Sequence, residues 1–158
     1  MQYKNARRFI YSAGILLVIT GVAKLISAFG HAKIIDYPDP IFQVPNKYVF
    51  AFVGVIELII AYLCFSSNRL GLAACLVAWL GSNFLLYRIG LRWINVAKPC
   101  PCLGNVTDAL HIAPRTADTA MLLILTYLLV GSWAIIIGFS IARRHNIALY
   151  VSPNKTVG

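Results

Sequence analysis

Residues 120–141 read AMLLILTYLLVGSWAIIIGFSI, 22 consecutive positions without one charged side chain. A helix of about 20 apolar residues crosses the hydrocarbon core of a bilayer. In lipid each backbone N–H and C=O must be bonded inside the protein, which leaves only helices and closed barrels. Barrel segments alternate over about 10 residues, and this run does not alternate. It predicts a membrane-spanning helix. Working back toward the N-terminus, three more runs repeat the pattern: Leu70 to Leu86, Tyr48 to Phe65 interrupted only by Glu57, and Phe9 to Phe29 interrupted only by Lys24. The four runs occupy half the chain.

Composition agrees. The 158 residues are 59% hydrophobic and 12% charged, against about 25% charged in a soluble domain, and the mean hydropathy is +0.76. This excludes a secreted disulfide scaffold, a disordered tail and an ordinary cytosolic enzyme. The net charge of +9 does not indicate a nucleic-acid partner, because the cations flank the apolar runs as they do around membrane spans. The expected fold is all-α: a single domain forming an integral membrane antiparallel four-helix bundle. Lys4, Arg7 and Arg8 ahead of the first run resemble the start of a signal peptide, but the run exceeds a 7–15-residue signal core and no A-x-A site follows. The first span is therefore expected to remain uncleaved.

Proline and glycine mark the connectors. Gly30, Pro38, Pro40 and Pro45 punctuate residues 30–47, and Ser66, Ser67 and Asn68 form a short turn. Residues 87–119 contain Pro99, Pro101, Gly104 and Pro114 and cannot be one continuous helix. The two termini and the short turn carry seven cations, in shorter stretches than the six of the two long connectors. The cation-dense side is cytoplasmic by the positive-inside rule. Both termini are then expected in the cytoplasm and both long connectors outside, in an oxidising compartment.

The sharpest chemical signal is Lys98-Pro99-Cys100-Pro101-Cys102-Leu103-Gly104 in the second long connector. A disulfide between cysteines one residue apart closes a small, strained ring, and strain makes such a bond easy to exchange. Pro99 and Pro101 stiffen the segment, and Lys98 favours a thiolate electrostatically. Three readings fit the spacing: a redox pair, half of a soft-metal site for Cu(I) or zinc, or unpaired loop cysteines. His111, nine residues beyond Cys102, is a candidate proton carrier. Cys64 and Cys75 lie toward the cytoplasmic side and read as buried packing thiols.

Lys24 and Glu57 are charges inside spans, where ionisable groups pair or line a polar cavity. Lys24 lies roughly 9 Å and Glu57 roughly 15 Å from the outer end of their runs at 1.5 Å per residue. A lysine stem bridges most of that difference, so an intramembrane Lys24–Glu57 pair is expected. It serves either to fix helix register or to handle protons or a cofactor. Asn83 reads as interhelical packing glue, and Arg88, Arg92 and Trp93 as interfacial anchors, with Arg88 also a candidate contact for a quinone headgroup. Asp36 and Asp39 read as turn and cap residues. No nucleotide-binding loop, zinc-protease motif or serine-hydrolase elbow occurs.

The order Gly21-x-x-Lys24-Leu25, Asp39-Pro40, Glu57-Leu58 and Pro99-Cys100-Pro101-Cys102-Leu103-Gly104 resembles the MauE/DoxX-like group. The nearest likeness is to the MauE-type redox-associated membrane proteins of methylamine utilisation. It runs from about Ala6 to Ile141, and the C-x-C-[FL]-G element is its most specific part; Pro101 and Leu103, where Phe is commoner, depart from the pattern. The resemblance implies a four-helix inner-membrane protein linked to thiol–disulfide chemistry outside the cytoplasm. Cys100 and Cys102 would be the redox pair, with Gly104 closing the motif, and Lys24 and Glu57 the recurrent intramembrane polar positions. The expected partners are an exported thioredoxin-like or substrate protein and a membrane electron acceptor, with quinone the candidate cofactor. A second reading is a non-catalytic subunit or assembly factor of a larger, quinol-linked membrane complex; a third is Cu(I) handling.

Overall fold

The computed structural model describes residues 2–30, 38–67, 69–94 and 114–151. They form four helices, α1 (Gln2–Phe29), α2 (Asn46–Ser66), α3 (Leu70–Trp93) and α4 (Pro114–Val151), and no strand occurs among the described residues. All four are long and apolar enough to cross a membrane. The chain is a multi-pass membrane protein by that measure.

The helices overrun the apolar runs. α3 continues beyond Leu86 to Trp93, and α4 starts at Pro114, before the apolar run opens at Ala120. A span must be helical in the hydrocarbon, but nothing stops the helix at its boundary. Pro114 suits a first helical position, where its missing N–H costs nothing. The Gly30 N–H bonds the Ser27 carbonyl at 3.2 Å as α1 ends. Between α2 and α3, Ser67 is extended and its hydroxyl accepts the Arg69 N–H at 3.0 Å, so the chain reverses in very few residues.

Contacts fix helix direction. Gly14 faces Cys64 and Phe65, and Gly21 faces Gly54 and Leu58. Numbers rising along α1 fall along α2, so these two helices run antiparallel. Likewise Gly81 meets Leu125 and Leu129 while Arg88 meets Asp118, so α3 and α4 run antiparallel. α4 joins α1 through Tyr127, whose ring lies 5.1 Å from that of Phe9 and whose hydroxyl lies 2.7 Å from Ser12 Oγ. The Ser12 hydrogen goes to the Phe9 carbonyl at 2.8 Å, which leaves the tyrosine as donor.

The core is built from small residues flanked by branched ones. Ala13, Ala61, Ala73 and Ala74 are buried beside Ile10, Leu17, Ile60 and Val77. Small side chains let backbones approach, and dispersion then holds helices together where lipid removes the hydrophobic drive. The opposite faces expose Ile15, Ile19, Phe52, Tyr62, Trp79, Leu123 and Val130. So large an exposed apolar belt is unsuited to water and suits acyl chains. Cys64 is buried as expected, but Cys75 is exposed; its position on α3 turns it to the outer face, so it is not a packing thiol. Asn83 is also exposed and bonds the Trp79 carbonyl of its own helix at 2.8 Å, so it is not interhelical glue.

α1 and α2 meet backbone to backbone at Gly21 and Gly54. A Cβ on Gly54 would lie 3.0 Å from the Gly21 carbonyl oxygen, and one on Gly21 would lie 3.1 Å from that of Gly54. Backbone cannot yield as a side chain tip can. Gly54→Ala should therefore push α1 and α2 apart and cost roughly 1–3 kcal/mol, the usual penalty for overpacking. Gly138→Ala, where nothing lies within 4 Å, should be neutral or add about 0.5–1 kcal/mol of helix stability. Thermal unfolding of the two variants in the same detergent would compare them.

Candidate functional site

The glycine crossing positions the first element of the site. Lys24 and Glu57 each lie three residues after a crossing glycine. Every Cα–Cβ bond in a helix leans toward its own N-terminus. On antiparallel neighbours the two side chains therefore lean toward each other, which closes their offset along the helix axis. Lys24 Nζ donates to Glu57 Oε1 at 2.7 Å, with side-chain exposures of 6% and 1%. The ammonium also lies 5.3 Å from the centre of the Phe84 ring of α3, a cation–π distance.

The pair opens onto a chamber of about 50 Å³. Its polar lining is Thr20, Lys24, Glu57 and Arg88, one or more from each of α1, α2 and α3; α4 closes it with Met121, Ile124, Leu125 and Leu128. Glu57 uses one carboxylate oxygen for Lys24. Its other oxygen, Oε2, is buried and has no hydrogen-bond partner among the described residues. The Thr20 hydroxyl bonds its own helix, at the Leu16 and Leu17 carbonyls at 3.1 and 3.3 Å, and also stands beside the Glu57 carboxylate.

Above the chamber a second ion pair joins α3 to α4: Arg88 donates to Asp118. Arg88 is thus more than an interfacial anchor. It is part of the chamber wall and ties together the ends of the two helices that flank residues 95–113. The first connector is tied to the same place. Asp39, 2% exposed, accepts the Ile41 and Phe42 N–H groups at 2.8 and 2.9 Å on Oδ1 and the Tyr87 hydroxyl at 2.6 Å on Oδ2. Its role goes beyond a turn residue, because the loop it folds is docked on α3. The Phe42 ring stacks on Tyr87 with centroids 6.1 Å apart, and a Pro38–Pro45 bridge closes the loop.

Cys100, Cys102, Lys98, Pro101, Gly104 and His111 lie outside the described residues, as do Asp36 and Pro99. Of the expected site, the structure brings Lys24 and Glu57 together and adds three groups that the sequence reading did not connect: Thr20, Asp118 and Tyr87. Asp118 was legible in principle, as the acid nearest the start of the fourth run and at the same end as Arg88. No group of three or more His, Cys, Asp or Glu side chains suited to a metal occurs among the described residues. Comparison of the chain with known protein families, curated proteins and solved structures returned no match.

Removing one member of a buried ion pair strands the other in a low dielectric, at a cost of roughly 3–5 kcal/mol, whereas replacing both by apolar groups is often neutral. Lys24→Met and Glu57→Leu should each lower the unfolding midpoint steeply, and the double variant should recover most of the loss. A double-mutant cycle by denaturant unfolding in mixed micelles measures this. Tyr87→Phe removes only one hydrogen bond to a charged oxygen, worth about 1.5–3 kcal/mol. It should release the 38–45 loop to protease before it affects the helices.

Proposed function

We propose that the protein is an inner-membrane thiol–disulfide redox protein. It supports disulfide formation in, or electron transfer to and from, exported proteins through Cys100 and Cys102. The observation that carries this reading is the Pro-Cys-Pro-Cys segment in the link between α3 and α4, two helices whose facing ends are tied by Arg88 and Asp118. In this reading the helices form an antiparallel four-helix bundle with both termini cytoplasmic, and the cysteines stand on the exoplasmic side.

The chemistry balances as two exchanges. A thiolate of a thioredoxin-like partner attacks the Cys100–Cys102 disulfide, forming a mixed disulfide and releasing one cysteine as thiolate. The partner's second thiol then displaces the other cysteine. The partner has lost two electrons and two protons and the pair has gained them. A membrane acceptor of the quinone class restores the disulfide by taking up two electrons and two protons as quinol. With a reducing acceptor pool the same steps run backwards.

A second reading is a non-catalytic subunit of a larger membrane complex. It is favoured by α4, whose described span buries only Leu125, Leu128 and Ser132 and leaves a broad apolar face for a neighbouring helix. Alkylation under graded glutathione buffers separates the two. A redox pair should titrate as one two-electron couple, and Cys100→Ser or Cys102→Ser should each abolish partner oxidation, one of them trapping a mixed disulfide. A pair that stays oxidised below about −300 mV is structural, and full function in both serine variants would refute the redox reading.

A further inference from the structure

The Lys24–Glu57 pair is more than a register device, because Glu57 lines a chamber and its second carboxylate oxygen has no donor at hydrogen-bond distance among the described residues. We propose that Glu57 is a proton-binding site served by internal water and in exchange with the outer surface through Arg88 and Asp118. This stands on the chamber alone and holds whether or not the cysteines carry redox chemistry.

Three observations lead there. Glu57 lines the chamber, and its Oε2 is buried with no hydrogen-bond partner among the described residues; an unsatisfied buried carboxylate oxygen is costly unless something donates to it. The chamber is about 50 Å³, and a water needs roughly 10–15 Å³ of such space and two to four polar partners. Thr20, Lys24, Glu57 and Arg88 are the polar residues that can supply them, on a wall that is otherwise apolar. Finally, the charged side chains form a ladder of rising exposure, from Glu57 (1%) and Lys24 (6%) to Arg88 (16%) and Asp118 (33%). The ladder follows one wall of a chamber whose other walls include the core side chains Leu17, Leu125 and Leu128.

The step is a simple transfer. A hydronium arriving along the water chain gives its proton to Oε2, leaving water and a neutral carboxylic acid; on return the acid gives it back. While Glu57 is neutral, Lys24 loses its anionic partner and keeps the Phe84 ring beside it. The charged group against Glu57 is Lys24 from α1, and Arg88 from α3 lines the same chamber. α4 contributes only apolar side chains to the chamber, and its Asp118 neutralises Arg88 from above.

Glu57 is the only glutamate in the sequence, so carbon-13 glutamate labels this carboxyl alone in the unmutated chain. Isotope-edited infrared spectra of the full-length protein in lipid nanodiscs should show the labelled group interconverting between carboxylate and acid as pH is cycled with the helices intact. In heavy water the acid should become deuterated within the mixing time. Ile124→Phe, which fills the chamber from α4, should slow that exchange by an order of magnitude or more while leaving helicity unchanged. A labelled group that stays carboxylate wherever the fold persists would overturn the proposal and leave a permanent ion pair. Exchange as fast in Ile124→Phe as in the parent would overturn the chamber as its route. Neither outcome depends on Cys100 or Cys102, so failure here is distinguishable from failure of the thiol reading.

Discussion

Two opposite charges inside apolar helices constrain this molecule more than any other feature. A lysine or glutamate alone at that depth would have to snorkel, neutralise or draw water in. Paired, they need their helices at one register and at short range. The glycines one turn away provide the range, and the shared lean of side chains toward helix N-termini provides the convergence. The arrangement of α1 against α2 is thus set by a polar contact and by the absence of two Cβ atoms. In a bilayer, where burying a leucine gains little over leaving it in lipid, that is the expected way to specify a pair.

The half of the molecule at the long connectors is organised differently from the half at the termini. At the connector end three polar contacts join elements: Asp39 to Tyr87, Arg88 to Asp118 and Lys24 to Glu57. Toward the termini Ile10, Ala13, Ala61 and Ala73 pack as an apolar cluster, and the Ser12–Tyr127 hydrogen bond joins α1 to α4 beside it. Hydrogen bonds are directional and hold connectors at defined positions, whereas alanine contacts hold only helix spacing. The half that carries the long connectors has more of these directional contacts.

What the sequence made legible follows the range of each interaction. The four spans depend on local hydropathy and could be read residue by residue. The Lys24–Glu57 contact could be read because these are the only charges interrupting the first two runs, so each has one obvious counterpart. Helix ends were less legible: the apolar run stops at Leu86, but helical hydrogen bonding continues to Trp93 because residues 87–93 contain no proline to stop it. The contrast between buried Cys64 and exposed Cys75 depends on how each helix is rotated, which hydropathy leaves open when all faces are apolar. Asp39 reaching Tyr87 is a contact over 48 positions, and no periodicity encodes it.

A one-sided polar half also limits what the chamber can do. Inward from Glu57, α1 presents Leu17, Ala13 and Ile10 over a distance of roughly 10 Å at 1.5 Å per residue, and α2 presents Ile60 and Ala61. All are buried and apolar, and water in such a plug would lack the hydrogen-bond partners it needs. On these two helices the way from Glu57 toward the termini is apolar, whereas α4 places the buried Ser132 and the Tyr127 hydroxyl on that side of the chamber. If the cysteines face the same side as the chamber, thiol oxidation there and protonation of Glu57 would draw on one proton pool.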